Sequence, residues 1–248
     1  MPELIIPNWP DLPGISAVSS CRLGGVSEGL HESLNLGDHV GDDKDAVWQN
    51  RQRFAQLAQM PAAPVWLNQV HGTQVLCLSP QTAFPPSGTV TADAAYSNMA
   101  GRVCTVMTAD CLPLLVRSEA ADEVAAIHAG WRGLLAGVIE QTLQCFSAKP
   151  QQLQVWLGPA IGPSAFAVGS EVQQAFVARA AVNHSAFTLD AQGQWRADLY
   201  QLARLVLMQA GVEQVYGGDY CTYTDNKRFF SYRRDGQTGR MASAIWIS

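Results

Sequence analysis

The chain carries about a dozen short apolar segments of strand character but only four stretches of helical period. That ratio limits the fold more than any other feature. A βαβ repeat needs a helical crossover between successive parallel strands, so most of these strands must pair directly with one another. Strands are expected over 14–19, 65–70, 74–78, 94–97, 102–108, 112–116, 123–128, 152–157, 214–216, 229–233 and 241–246. A first helix is expected over 45–59, with Val47, Phe54, Leu57 and Ala58 on one face, and a second over 131–146, with Leu134, Leu135, Val138, Ile139 and Phe146 turned to a core. Ser170 is the expected cap of a third helix running to about 181. Asp198 caps a fourth, with Leu199, Leu202, Ala203, Val206 and Ala210 on one face, and Gly211 stops it. The pattern predicts an α+β sandwich with mixed β-sheets.

The chain's 248 residues suffice for a substantial core. Proline and glycine punctuation falls at 61–64, 84–88 and 158–164, and none of it has the length of a flexible linker, so a single domain over 1–248 is expected. A net charge of -5 gives no electrostatic reason to expect nucleic acid or an anionic membrane as a partner. No apolar run reaches the length of a membrane span. The six cysteines, at 21, 77, 104, 111, 145 and 221, include no CxxC pair, and residues 1–14 have no basic stretch of a leader. Reduced thiols in a cytoplasm are the expectation. No heptad or apolar stripe commits the surface, which fits a monomer or a weak homodimer.

Two of the five histidines have unusual settings. His71 lies in Asn68-Gln69-Val70-His71-Gly72 between two apolar strands. His128 ends the apolar run Val124-Ala125-Ala126-Ile127 and precedes Ala129-Gly130-Trp131-Arg132-Gly133. Cys111 sits in the polar break Thr108-Ala109-Asp110-Cys111-Leu112-Pro113. Strand ends and kinks let side chains from distant segments converge without disturbing a core. A His–Cys–His set is a candidate zinc shell, and three protein ligands leave one position for water or substrate. The alternative is two packing histidines and a buried thiol.

The turn after His128 adds an independent cue. The helix from Trp131 has Gly130 where a capping side chain is usual, so its first N–H groups are available to an anion. Arg132 opposes the helix dipole there and implies an anionic partner or an outward-snorkelling arginine. Gly130, Gly133 and Gly137 read as close-packing glycines. On the first helix Asn50 and Arg51 share the core face, where they anchor a loop or face a ligand. Asp93 and Asp110 are candidate carboxylates for proton transfer or for orienting a metal-bound histidine. Arg22, Arg51, Arg132, Arg233 and Arg234 form the pool for an anion site.

Together these segments resemble the YfiH-type laccase-domain family, also called polyphenol oxidase or peptidoglycan editing factor and described as purine nucleoside phosphorylases. The resemblance runs from Arg22-Leu23-Gly24-Gly25-Val26-Ser27 and Ser33-Leu34-Asn35-Leu36 through the three segments quoted above. It closes with Gly158-Pro159-Ala160-Ile161-Gly162, Ser231-Tyr232-Arg233-Arg234-Asp235-Gly236 and Thr238-Gly239-Arg240. It implies a four-layer α-β-β-α sandwich, with zinc (or copper in the same site) held by His71, Cys111 and His128. It also implies phosphorolysis of adenosine, inosine and S-methyl-5'-thioadenosine to base and ribose 1-phosphate, with adenosine deamination besides. On that chemistry Asp93 and Asp110 move protons. Arg51 and Arg132 hold phosphate, and Asn35, Gln69 and Arg233 are further substrate contacts.

Three rival readings stay open at this level. Cys111 can be the nucleophile of a cysteine hydrolase or amidase acting on a peptidoglycan precursor, with His71 or His128 as base. A lone copper in the same site can act as a polyphenol oxidase, although the histidines are too few for a multicopper cluster. Or the zinc is structural, completed by Cys104 or Asp110.

Overall fold

The structure is a computed structural model that describes residues 3–79 and 90–248; the punctuation at 84–88 lies outside the described residues. In chain order the elements are β1 (Leu4–Ile5), β2 (Ile15–Ser20), α1 (Lys44–Leu57), β3 (Val75–Cys77), β4 (Ala94–Ser97), β5 (Val103–Thr108), β6 (Leu112–Ser118) and β7 (Val124–Ala129). There follow α2 (Trp131–Ala136), α3 (Val138–Leu143), β8 (Leu153–Leu157), β9 (Ala167–Val168), α4 (Ser170–Arg179), β10 (Phe187–Leu189) and β11 (Trp195–Ala197). The last are α5 (Leu199–Gln209), β12 (Gln214–Gly217), α6 (Tyr232–Asp235) and β13 (Met241–Ile247).

Direct strand pairing dominates, as the strand-to-helix ratio requires. One sheet has the order β1-β2-β13-β5 and a second the order β12-β8-β6-β7-β4-β3; β10-β11-β9 form a small third one. The four-stranded sheet is antiparallel throughout. The six-stranded sheet is mixed, with parallel pairs only at its edges, β12 with β8 and β3 with β4.

The period of two along β5 assigns the layers. Val103 and Met107 face Phe54 of α1 together with Leu34, Leu36, Val18 and Trp246. Cys104 and Val106 face the opposite way, into a dry seam with Ile245, Leu115, Ala126 and Trp156 between the two sheets. The far face of the six-stranded sheet sets Leu114, Val116, Ile127 and Val155 against Leu134, Ile139, Phe176, Leu202 and Val206 of the helices. The result is the expected mixed α-β-β-α stack. β6, β7 and β8 are covered on both faces, which is why they read as continuous apolar runs without alternation. Full burial of a residue such as Leu114 or Ile127 contributes roughly 1.5–3 kcal/mol.

The helices at 45–59 and after Asp198 form nearly as expected, with Asp43 and Asp198 as side-chain caps. Other segments differ. The helix expected over 131–146 is broken at Gly137, whose φ of 103° closes α2 and opens α3. Glycine enters that left-handed conformation without a Cβ penalty. Gly169 takes the N-cap of the third helix, and Ser170 is its first residue. Residues 65–70 contribute one bridge, Asn68 to Thr91, in place of a strand. Val65 and Leu67 still bury their side chains between the sheets, so packing alone satisfies the alternation. Residues 229–233 are not a strand either: Phe229 and Phe230 are buried, and Ser231 then caps α6 by accepting from Arg234 N. β1, β9, β10 and β11 are two or three residues long, too short to leave a periodic signal.

Candidate metal centre

β6 and β7 run antiparallel with Pro113 opposite His128. Cys111, just before β6, therefore lands beside the end of β7. The loop before β3 brings in His71, because Gln74 O accepts from both Asp93 N and Ala94 N and ties that loop to the start of β4. One donor atom each from His71, Cys111 and His128 lies within 4.8 Å of the others. Cys111 Sγ is 3.6 Å from His71 Nε2, and the two imidazoles meet edge-on with centroids 4.8 Å apart. His71 and Asp110 adopt left-handed φ values of 61° and 91°, positions that non-glycine residues rarely occupy. Backbone of this kind persists only where its surroundings over-determine it.

The over-determining group at His71 is Asp93, a wholly buried residue. Its Oδ1 accepts from His71 N at 2.9 Å and from His128 Nδ1 at 2.8 Å. Its Oδ2 accepts from Gly72 N at 2.7 Å and Val70 N at 3.3 Å. One carboxylate thus fixes the His71 turn and the His128 ring together, and it leaves His128 Nε2 as the donor nitrogen. Burial opposes Asp93's charge, but the His128 and backbone bonds outweigh it and hold the carboxyl below its usual range. Burial likewise opposes the Cys111 thiolate, and His128 and His71 outweigh it, bringing the thiol down to about 6. For His128, burial disfavours the cation, yet Cys111 and Asp93 push it up to about 9. The result is a thiolate beside an imidazolium, ready to exchange its proton for a metal cation.

Gly130 gives the centre its space. A Cβ there would lie 2.7 Å from His71 Cδ2 and 2.9 Å from Cys111 Sγ. Its φ of -67° and ψ of 161° suit alanine, so Gly130→Ala tests steric room alone. We expect a folded variant whose metal affinity falls tenfold or more, roughly the scale of disturbing a ligand's support. Chelator competition measures this, and wild-type affinity would show that the two donors need not sit so close. Gly133 plays a related part: its Cβ would meet Gly72 O at 3.0 Å, so its absence lets α2 lie against the His71 turn.

The three donors line a cavity of about 400 Å³ together with Gln69, Met107, Trp131, Arg132, Phe166, Tyr232, Arg233 and Arg240. α2 spans only six residues, so its dipole is short and the positive charge at this end comes from Arg132. Arg132 stacks on Trp131 at 4.4 Å. Gln69 spends its amide on the backbone of Met107, donating to O at 2.8 Å and accepting from N at 2.7 Å. Asp110 accepts from Thr222 Oγ1 and from Arg233 N, both at 2.6 Å, so it ties the C-terminal loop to the β5–β6 turn. Arg233 donates to Ala167 O at 2.9 Å.

Two expected contacts lie outside this cavity. Arg51 donates to Leu36 O at 2.9 Å, pairs with Asp38 and lies 4.2 Å over Trp66, lining a separate hollow of about 300 Å³. With Asn50, which bonds Ser27, Ser33 and Asn35, it anchors the loop before α1. Asn35 is buried and reaches the cavity only through Arg240, whose N it accepts at 2.9 Å. Arg240, Met107, Phe166 and Tyr232 escaped the sequence reading as lining residues. Thr238-Gly239-Arg240 was visible as a block, but nothing local to it marks Arg240 as a half-buried cation at the cavity.

Residues 16–248 match the family described as "Multi-copper polyphenol oxidoreductase laccase". The chain belongs to this laccase-like family. A Shigella flexneri relative named "Purine nucleoside phosphorylase YfiH" is 55% identical over 247 residues, covering 100% of both chains. The Escherichia coli K12 protein of the same name is 54% identical, also over 100% of both. A crystal structure of a Neisseria meningitidis protein of the DUF152 family superposes with a TM-score of 0.93 at 44% identity, covering 99% of each chain. The family's multi-copper description does not match the donors in this member. A blue copper alone uses two histidines and a cysteine, and a copper cluster needs several more. This laccase-like chain has five histidines, and its described residues hold one cluster of three donors.

Proposed function

We propose that the chain is a zinc-dependent purine nucleoside enzyme. It splits adenosine, inosine and S-methyl-5'-thioadenosine with phosphate into base and ribose 1-phosphate, and deaminates adenosine in the same cavity. The supporting observation is the meeting of His71, Cys111 and His128 at a cavity edged by Arg132, Arg233 and Arg240. The names of the relatives supply the substrate class.

The donors suit zinc. Bonds of about 2.0–2.3 Å in a tetrahedron place ligand atoms roughly 3.3–3.7 Å apart, and the Cys111–His71 pair stands at 3.6 Å. Copper accepts the same donors. Among the described residues no fourth His, Cys, Asp or Glu joins the set. Cys104 is buried in the inter-sheet seam, and both Asp110 oxygens are engaged. The arrangement therefore favours a reactive metal over a structural one. A zinc ion bound there supplies Lewis acidity and makes water a nucleophile near neutral pH.

The chain's own residues do the rest. Trp131, Phe166 and Tyr232 offer aromatic surface to a purine. Arg132 holds phosphate, with Arg233 and Arg240 behind it; Arg51 is too engaged with Leu36 and Asp38 in its own hollow for the role. Asp93 and Asp110, with their oxygens bonded as above, serve as positioning residues. No described helix is long and apolar enough to cross a membrane, and we place the enzyme in the cytoplasm as a monomer or weak homodimer.

The test is product analysis on metal-quantified protein with adenosine, with and without phosphate. Adenine and ribose 1-phosphate should appear only with phosphate, and inosine in both cases. Arg132→Ala should raise the KM for phosphate about tenfold, the scale of one charge-assisted contact, and leave metal content intact. An unchanged KM would remove Arg132 from the phosphate site.

A second reading rests on the Cys111 thiol at about 6 beside His128 at about 9, the pairing a cysteine nucleophile needs. On that reading the chain is an amidase for a peptidoglycan precursor. Full activity after chelation, abolished by thiol alkylation, would favour it.

A further inference from the structure

Cys77 closes β3, the edge strand of the six-stranded sheet, and Cys145 follows α3 by two residues. The two are 68 positions apart in the chain, yet their sulfurs stand 3.8 Å apart, in van der Waals contact. Cys77 is exposed and Cys145 half-buried. Neither lines the cavity at the metal centre. Val75 on β3 and Leu143 on α3 pack into the same apolar cluster as Cys145, so both backbones are anchored. A disulfide would draw these two sulfurs together to ~2.05 Å.

We propose that Cys77 and Cys145 form a reversible intramolecular disulfide when the enzyme meets a hydroperoxide, a modification site separate from the metal centre. The exposed Cys77 sulfur attacks the peroxide O–O bond. It becomes a sulfenic acid, and the other peroxide oxygen leaves as water or an alcohol. The Cys145 sulfur then attacks the Cys77 sulfur: the S–S bond forms, the S–O bond breaks, and the hydroxyl leaves as water with the Cys145 proton. Two thiols lose two electrons and the peroxide gains two. A dithiol or two glutathione molecules reverse the step by exchange. The order follows from exposure: Cys77 is open to the peroxide, whereas Cys145 is half-buried and its thiol is pushed up to about 11 by burial and the neighbouring Cys77 sulfur, which leaves the first attack to Cys77.

The bond would fasten an edge strand to the helical layer. β3 pairs with β4 over three residues, and Gln74 just before it accepts from Asp93 N and Ala94 N. This short edge strand is thus joined to the backbone that carries Asp93.

The experiment uses metal-loaded enzyme, in which Cys111 is engaged. Hydrogen peroxide is added at a few equivalents, free thiols are alkylated, and the digest is mapped by mass spectrometry. The expected product is one linked peptide pair holding Cys77 and Cys145, lighter by two hydrogens and released by dithiothreitol. Cys77→Ser should abolish it. Cys145→Ser should leave Cys77 as a sulfenic acid that dimedone traps. Full alkylation of both residues after peroxide, or a map that joins either to another cysteine, would overturn the assignment.

Discussion

Replacing Cys111 by serine is expected to strip the metal from the protein and remove nearly all phosphorolysis, a loss of roughly a thousandfold or more in kcat/KM, as when an activating group is lost. The thiolate is the only anionic donor of the three. A serine hydroxyl keeps its proton at neutral pH, so it is a far weaker ligand than a thiol already brought down to about 6. The fold should tolerate the change. Cys111 is half-buried at a turn, outside the three apolar clusters, and a near-isosteric polar exchange there should alter stability by about 1 kcal/mol or less. Metal content by elemental analysis, kcat/KM on adenosine and a urea titration would be measured together. A serine variant with no metal but undiminished phosphorolysis would refute the metal-dependent reading.

The second large effect is structural and chemical at once. Asp93→Ala should destabilise the fold by roughly 3–5 kcal/mol, because the backbone donors of Val70, His71 and Gly72 and the ring nitrogen of His128 all lose one buried acceptor. Against a total of about 5–15 kcal/mol that is a severe loss. Asp93→Asn keeps the volume and one acceptor oxygen, so it should fold, but it turns an amide N–H toward groups that donate. Metal affinity should then fall about 10- to 100-fold, the usual scale for losing a carboxylate behind a liganding histidine. Wild-type affinity in Asp93→Asn would separate the carboxylate from the metal centre. The pH dependence has a definite sign. Asp93's carboxyl lies below its ordinary range in the folded protein, so its stabilisation is complete at neutral pH and is lost progressively as pH falls from the ordinary carboxylate range through that lowered value. Removing the carboxylate should flatten the acid limb of the stability curve.

The double-sided strands and the helices capped by Asp43 and Asp198 were legible because their burial is written in residue type at each position. β4 spans 94–97, as its apolar run indicated. The positions of the three donors were legible for a different reason. His71, Cys111 and His128 each interrupt an apolar pattern; Cys111 and His128 sit at strand ends, and His71 sits in the loop before β3. Paired partners were not legible. Arg51 and Arg132 look alike in the sequence; one is fixed by the Leu36 carbonyl and Asp38, and the other reaches the cavity. Arg240 reaches it because Asn35, 205 residues away, accepts from its backbone. Relations across such distances leave no local trace. The same holds for Gly137, which read as a packing glycine until its left-handed φ showed where the helix breaks.

Position 71 shows how the centre opposes the fold that carries it. The imidazole is exposed, joins none of the apolar clusters, and sits on a left-handed backbone that glycine adopts without strain. Glycine would keep the main-chain bond to Asp93, so as far as folding alone is concerned it is the better residue there. A lineage released from the need for the chemistry would drift toward glycine at 71, trading the imidazole for a more relaxed loop, and a directed-evolution campaign that rewards heat resistance alone would push the same way.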